Sequence, residues 1–470
     1  MSGRRTRGWA FACLAGAALG VSLVVLIILI AITALQAGPI TSMRAVAGAG
    51  ISLSLRSMDV PGTRDAVAFV TVAQVEAGSP AAGLGMSRGD ALLTVGDTPV
   101  NRPSQAWDAV GAAPGGREVT LPVVWMPRPE ITLGTLRAAS VEGAPRVVLS
   151  APSESAQAGG LRAGDVLLTA GGIPIAGTRQ AWEALVVAAR TQGTPIELAL
   201  EREGEPVLVR WDPTARAELP FVRDPLRAWW TFLTTLNEPR YPERAGLLPA
   251  FVGSVYVVLV MAAVAFPLGV AGAVYLEEYA PSNFLTRTIE ILVANLAGTP
   301  SAVVGIIGLE VFARALGAGR SILAGGLTLS VLILPMMIVA TREALRAVPR
   351  TLREAALAVG ATRWETVRHH VLPYALPGIL TGTILSFSRA LGEAAPLLLL
   401  GAFLFVTYVP QGLGDSFTVV PLQIFEWATR PQDGFATVAA AAIVILVALL
   451  LLLNAVAIVL RTRFQRRWSG

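Results

Sequence analysis

The sequence predicts a mainly α, polytopic membrane protein with six transmembrane helices and an inserted, extracytoplasmic α/β pair of small domains. Three observations carry this. Hydrophobic residues are 54% of the chain and charged residues 15%, and mean hydropathy is +0.61. Several apolar runs reach the roughly 20 residues a helix needs to cross a bilayer core. Between the first two runs, from about Gly38 to Pro220, lies a stretch rich in Gly, Pro, Val and charge that holds no spanning run.

The expected spans are Leu14–Leu35, Phe251–Tyr275, Ile289–Ala313, Ile322–Ala340, Pro377–Phe405 and Ala436–Leu460. The first has a longer apolar core than a secretory signal and no clear small-residue cleavage site, so it reads as a retained anchor. Cys13, the only cysteine, precedes that core, and one cysteine forms no internal disulfide. Arg4, Arg5 and Arg7 precede the first run, and Arg461, Arg463, Arg466 and Arg467 follow the last. Both ends therefore read as cytoplasmic by the positive-inside rule. An even number of spans returns the chain to its starting side, so the two ends agree. Arg314 and Arg320 fall on the outer side as mild exceptions. All basic side chains other than His are Arg; without Lys the chain has no Walker A loop and no Ser–Lys dyad.

The insert carries 15 Arg against 18 acidic residues, in contrast to the basic frame around it. It repeats itself. Arg88-Gly89-Asp90-Ala91-Leu92-Leu93-Thr94 recurs 75 residues later as Ala163-Gly164-Asp165-Val166-Leu167-Leu168-Thr169. The same offset carries Gln105-Ala106-Trp107 onto Gln180-Ala181-Trp182. Each copy reads as strand, Gly-Asp turn, strand, helix, strand. The expected bounds are 45–127 and 128–213, after a cytoplasmic N-terminus and first helix over 1–37, and the segment 45–213 is expected to fold alone as a soluble protein.

Each copy resembles a bacterial PDZ domain, through Gly78-Ser79-Pro80-Ala81-Ala82 with Arg88-Gly89-Asp90, and through Leu161-Arg162-Ala163-Gly164-Asp165-Val166-Leu167-Leu168. That fold binds an extended peptide along a sheet edge and catches its carboxylate with backbone amides. The resemblance implies Gly50 and Ile51 in the first copy, and Leu133 and Gly134 in the second, as peptide-binding positions; plain turns and a docking role stand beside that reading. PDZ pairs also accompany intramembrane zinc proteases, which need H-E-x-x-H on a helix. The chain has only His369 and His370, adjacent and so about 100° apart on a helix. It has no G-x-S-x-G elbow either. No catalytic, metal or cofactor site is expected.

Residues 342–376 form a polar, Arg-bearing loop between two apolar runs, on the cytoplasmic side. Glu354-Ala355-Ala356, Gly360, Leu372-Pro373 and Pro377-Gly378 resemble the EAA coupling loop of ABC importer permeases. Two short helices joined near Gly360 would fit a cleft of a separate ATPase. Glu354, Ala355, Ala356, Gly360, Leu372 and Pro373 are the coupling positions, and His370 stands where the family usually has an apolar residue. An amphipathic surface helix is the blander reading.

The membrane part, 241–465, resembles the phosphate-specific, PstA-type members of that family. The phrases Pro267-Leu268-Gly269-Val270-Ala271-Gly272, Gly298-Thr299-Pro300-Ser301 and Ser388-Arg389-Ala390-Leu391-Gly392-Glu393-Ala394-Ala395-Pro396 carry the resemblance. It implies the type I importer permease fold in a bacterial inner membrane and no enzyme activity of its own. It also implies a second homologous permease subunit, ATPase subunits and an extracytoplasmic phosphate-binding protein as partners. Lipid surrounds such a chain, and no nucleic acid is called for. Arg389 and Glu393 are charges in an apolar span, costly at about 2.5–3.5 kcal/mol each at its centre, so they need a reason to be there. They are either a self-neutralising i, i+4 pair or an anion site whose guanidinium fork fits phosphate oxygens. Thr299 and Ser301, at a proline break, line a pathway or a tight helix crossing. Trp229, Trp230 and Trp427 are expected at the outer interface. The rival reading makes the insert a membrane-anchored adaptor or sensor of phosphate status.

Overall fold

The computed structural model describes residues 26–59, 66–141, 144–402 and 405–468. Most of the first expected span, with Cys13 and the N-terminal arginines, lies outside the described residues. Helix α1 (residues 26–37) is mostly exposed, and after a turn at Gly38-Pro39 the chain continues as α2 (Ile40–Gly48).

The insert begins with β1 (Ile51–Asp59), β2 (Ala66–Val75), α3 (Pro80–Gly83), β3 (Ala91–Val95), β4 (Thr98–Pro99), α4 (Pro103–Ala112) and β5 (Glu118–Met126). The second copy follows as α5 (Pro129–Thr132), β6 (Gly134–Val141), β7 (Ala144–Pro152), α6 (Glu154–Ala158), β8 (Val166–Ala170), β9 (Ile173–Pro174), α7 (Thr178–Gln192), β10 (Ile196–Arg202) and β11 (Glu205–Trp211). The repeated Gly-Asp sets the same turn twice. Gly89 and Gly164 adopt φ of +100° and +95°, a region that favours glycine. The aspartates then tie the turn: Asp90 accepts the amides of Ser87 and Arg128, and Asp165 accepts the amide of Arg162, each at 2.8 Å.

The copies are not two beads on a string. A further strand, β12 (Ala215–Val222), returns after the second copy and pairs antiparallel with β5, from Ala215 opposite Trp125 to Val222 opposite Glu118. The first sheet therefore runs β1-β2-β3-β5-β12, and the second, β11-β10-β8-β7-β6, is nested inside it. Buried Leu219 and Phe221 of β12 complete the first core. The expected bounds 45–127 and 128–213 thus cut through one sheet, and 45–213 omits a strand of the first unit.

That first core does not stop at the insert. Helix α8 (Pro225–Thr234) lies beside α2, and α9 (Leu248–Val274) starts the membrane part. Trp107 of α4 shares one buried cluster with Phe232 of α8 and with Trp427 and Phe435 near the end of the chain. Trp427 is fully buried and sits 5.9 Å, centroid to centroid, from Phe232. It is core and not an interface residue as expected, because the last loop folds inward onto the insert. Trp229 is half-buried against Phe232, while Trp230 is exposed.

The membrane part continues from α9 through a π-helical turn (Tyr275–Tyr279) to α10 (Phe284–Ala297) and α11 (Ser301–Gly308), which extends as a π-helix (Leu309–Ala315). Then come α12 (Ile322–Arg346), α13 (Arg350–Ala358), α14 (Arg363–Thr366), a π-helical stretch (Val367–Val371), α15 (Leu372–Leu391), α16 (Ala395–Leu400), α17 (Val420–Ala428) and α18 (Phe435–Trp468). Among the described residues five helices are long and apolar enough to cross a membrane, and α10 with α11 makes a sixth if that bent pair is one span. Small residues let these helices approach. A Cβ on Gly326 of α12 would lie 2.5 Å from Val260 of α9, and one on Gly382 of α15 would lie 2.5 Å from Ala340 of α12.

Two expected spans differ. Ile289–Ala313 is no straight crossing: the chain bends by 102° where Pro300 caps α11. Pro377–Phe405 is not continuous. Helix α15 stops at Leu391, Gly392 caps it, and Pro396 opens the separate α16. Pro267 and Pro335, in contrast, sit within α9 and α12.

Candidate substrate pathway and coupling loop

The bend between α10 and α11 and the end of α15 meet. They enclose a cavity of about 280 Å³ lined by Thr299, Pro300 and Ser301 from the bend, Ile333 and Met336 from α12, and Arg389 and Glu393 from the α15 terminus. All four pathway candidates from the sequence are thereby brought together. Thr299 and Ser301 are half-buried. Thr299 Oγ1 donates to the Asn295 carbonyl at 3.4 Å, which stitches the frayed end of α10. Arg389 occupies the last turn of α15, where the helix dipole favours a cation. Its Nε lies 3.9 Å from Glu393 Oε1, and its side chain is 61% exposed against 26% for Glu393. At that distance no hydrogen bond joins the two side chains, so the guanidinium is not locked. Glu310 pairs with Arg314 within the π-helical extension of α11 and does not line the cavity.

The coupling candidates form a second site. Glu354 and Ala355 are exposed on α13, whereas Ala356 is buried against its own loop. Gly360 takes φ +92°, and a Cβ there would meet nothing within 4 Å, so the left-handed turn alone demands glycine. Thr362 and Glu365 then cap α14 reciprocally. Leu372 and Pro373 are half-buried at the start of α15. Leu357, Val359 and Trp364 are large apolar side chains left exposed on the same loop, Val359 at 86%. What holds the loop in place was not anticipated from the sequence. Arg353 donates to Glu278 at 2.7 Å and to the carbonyls of Leu345 and Val348, while Arg342 and Arg346 both reach Glu277. The signal was the Glu277-Glu278 pair directly after an apolar run, facing a loop rich in Arg.

The peptide-binding candidates sit otherwise. The Gly50 amide donates to the Ala47 carbonyl at 3.0 Å and the Leu133 amide to the Pro129 carbonyl at 2.8 Å, so both are spent on their own helix ends. Ile51 is buried, and Gly134, at φ +89°, is packed against the Ala151 carbonyl. The edge strand β1 turns toward the membrane part: Leu53 N–H donates to Glu243 Oε1 at 2.9 Å. Glu243 is fully buried, and burial pushes its carboxyl up to about 7 despite the amides and arginines around it. In the second copy the edge strand β6 is mostly exposed.

Comparison with known proteins gives this geometry a family. The family model of the binding-protein-dependent transport system inner membrane component matches residues 245–470. The phosphate transport system permease protein PstA 1 of Mycobacterium tuberculosis (strain ATCC 25618 / H37Rv) is 35% identical over 242 residues, 49% of this chain and 74% of that protein. The chain belongs to this family of inner-membrane transport components. The family match begins at Ala245, just beyond the insert, and takes in both the α10–α15 cavity and the Gly360 loop. Two Bacillus subtilis (strain 168) relatives are the probable ABC transporter permease proteins YqgI, 42% identical over 36% of this chain, and YqgH, 40% identical over 35%. The chain spans about half of their length, 56% and 55% respectively.

Proposed function

We propose that this chain is the permease component of an ATP-driven importer that passes inorganic phosphate across the cytoplasmic membrane. The carrying observation is the cavity in which the α11 N-terminus, Thr299, Ser301 and an unlocked Arg389 converge. A helix N-terminus and a guanidinium both favour an anion, and hydroxyls supply further donors to its oxygens. The names of the Mycobacterium relatives support phosphate as that anion. The exposed Leu357, Val359 and Trp364 around Gly360 supply an apolar face for a cytoplasmic ATPase, with Glu354 at its edge. A second permease subunit and an external phosphate-binding protein complete the importer in this reading, with the insert outside. Gly360→Val should abolish phosphate uptake while the chain still inserts, since a β-branched residue resists φ +92°. Normal uptake with normal ATPase co-purification in that variant would rule the coupling role out.

The open β6 edge favours a second role beside transport. The nested PDZ-like copy would accept an extended peptide there by strand addition. Phosphate uptake retained by a chain lacking 128–213, with loss of a bound peptide, separates that role from transport.

A further inference from the structure

A cavity of about 300 Å³ lies away from the α10–α15 site, between α2, the residue after β2, the end of β12 and α8. Three arginines line it, Arg44, Arg227 and Arg244, against two carboxylates, Glu76 and Asp224. The carboxylates are already engaged. Asp224 pairs with Arg117 and accepts the Arg227 amide at 3.2 Å, capping α8. Glu76 lies 3.1 Å from Arg244 Nη1. Glu243 interacts electrostatically with Arg44 and Arg244; its Oε1 accepts the Leu53 amide, and its buried Oε2 has no hydrogen-bond partner among the described residues.

The arginines keep donors to spare. Arg244 is four-fifths buried, and its Nε and Nη2 have no hydrogen-bond partner among the described residues. Leaving a buried donor unpaired costs on the order of 1–3 kcal/mol, more for a charged group, so two on one guanidinium call for an acceptor. Arg44 spends one Nη2 hydrogen on the Ala245 carbonyl and lies 5.8 Å from the Phe232 ring. Arg227 makes no ion pair among the described residues and stands at the exposed rim. Next to it on α8, Leu226 and Trp230 are 84% and 67% exposed, the kind of apolar flank that rests on a membrane surface.

We propose that this cavity is a second anion site, which takes a phosphate group, either free inorganic phosphate or the phosphate of an anionic lipid headgroup. A tetrahedral oxyanion offers acceptors for the Arg227 fork and, once the Arg244 side chain turns its buried Nε and Nη2 toward the cavity, for those donors as well. The site shares no residue with the proposed pathway and stands whether or not the chain transports phosphate.

The test uses the full chain carrying Arg389→Gln, so that the other arginine-lined cavity is disabled. Radiolabelled inorganic phosphate is measured by equilibrium dialysis in detergent. Retention of phosphatidylglycerol over phosphatidylcholine is measured by native mass spectrometry from mixed nanodiscs. Adding Arg227→Gln or Arg244→Gln should weaken one of these by about ten-fold or more, since each removes a charged donor set. Loss in the first assay identifies free phosphate, and loss in the second identifies lipid. Arg227 is exposed on α8, so its variant keeps the test open if Arg244→Gln fails to fold. Binding of both probes unchanged by Arg227→Gln, or no binding of either, overturns the proposal.

Discussion

The two copies of the repeat share a turn and meet face to face at Phe69 and Trp182, yet they are closed and anchored differently. The first is closed by β12 and shares a buried core with α8, α17 and α18, while its free edge leans on Glu243. The second is contiguous from Pro129 to Trp211, and its core around Trp182, Leu185 and Trp211 runs on into Phe69, Ala91, Leu93 and Met126 of the first, with Trp182 edge-on to Phe69 at 6.0 Å. The equivalent aspartates show the contrast at one atom. Burial raises the carboxyl of Asp90, and the amides that bind it do not compensate. Burial also opposes ionisation of Asp165, but the Arg202 guanidinium, 2.7 Å away, and the Arg162 amide outweigh it and hold that carboxyl below its ordinary value. Pro127 stands 75 residues before Arg202, so the first copy has no arginine bonded to its aspartate there, and the Arg128 charge nearby does not offset the burial. One local sequence makes one turn; non-local partners decide what each turn is anchored to.

The largest effect should come from cutting the copies apart. A fragment of residues 127–213 holds one whole sheet and should fold and melt cooperatively, with the Trp182 face that Phe69 covers newly exposed. A fragment of residues 45–213 should not gain a second folded unit, because it lacks β12 and leaves the β5 edge open. Circular dichroism melts and gel filtration of both fragments check this; a fully folded 45–213 would break the comparison.

This nesting also marks the limit of what the sequence made legible. The Gly-Asp repeat, the break at Pro300 and the Glu354 to Pro373 loop were legible because each is a local pattern of residue types. Strand β12 was not, since Ala215–Val222 finds its partner only across the whole second copy. The stop at Leu391 was hidden because Leu397–Leu400 continues the apolar run past the bend. Trp427 has the look of an interface residue until Phe232 and Phe435 close over it. Thr299, Ser301 and Arg389 could be picked out residue by residue, but their shared cavity depends on a 102° bend that hydropathy does not encode.

A smaller effect tests the anchoring of the first copy. Glu243 rises from its ordinary 4.5 to about 7, so its contribution to stability is present at low pH and is lost as pH climbs to about 7. The loss is at most about 3 kcal/mol by linkage. Glu243→Gln still accepts the Leu53 amide and should make the insert more stable than wild type at pH 8, with little difference at pH 4. Thermal melting of the full chain at both values reads this, and equal pH slopes for the two proteins would contradict it.

The smallest effect concerns the second copy. Asp165 has the opposite sign: its stabilisation is present above the ordinary carboxylate range and is lost as pH falls through its lowered value. Asp165→Asn should cost about 2 kcal/mol at neutral pH, as a charged hydrogen bond does, and less in acid. Urea unfolding of residues 127–213 at pH 7 and pH 3 measures it; an undiminished cost at pH 3 would show that the ion pair is not the source.

Transport through the α10–α15 cavity requires the Arg389 guanidinium to serve an anion and not merely to neutralise Glu393. Uptake of radiolabelled phosphate by cells producing the full chain tests it, with membrane abundance held equal. Arg389→Gln should cut uptake about ten-fold or more, Arg389→Lys should keep part of it because charge survives without the fork, and Arg389→Gln with Glu393→Gln should stay as low as the single variant. Uptake restored in that double variant would show the pair to be self-neutralising and contradict the pathway assigned to this cavity.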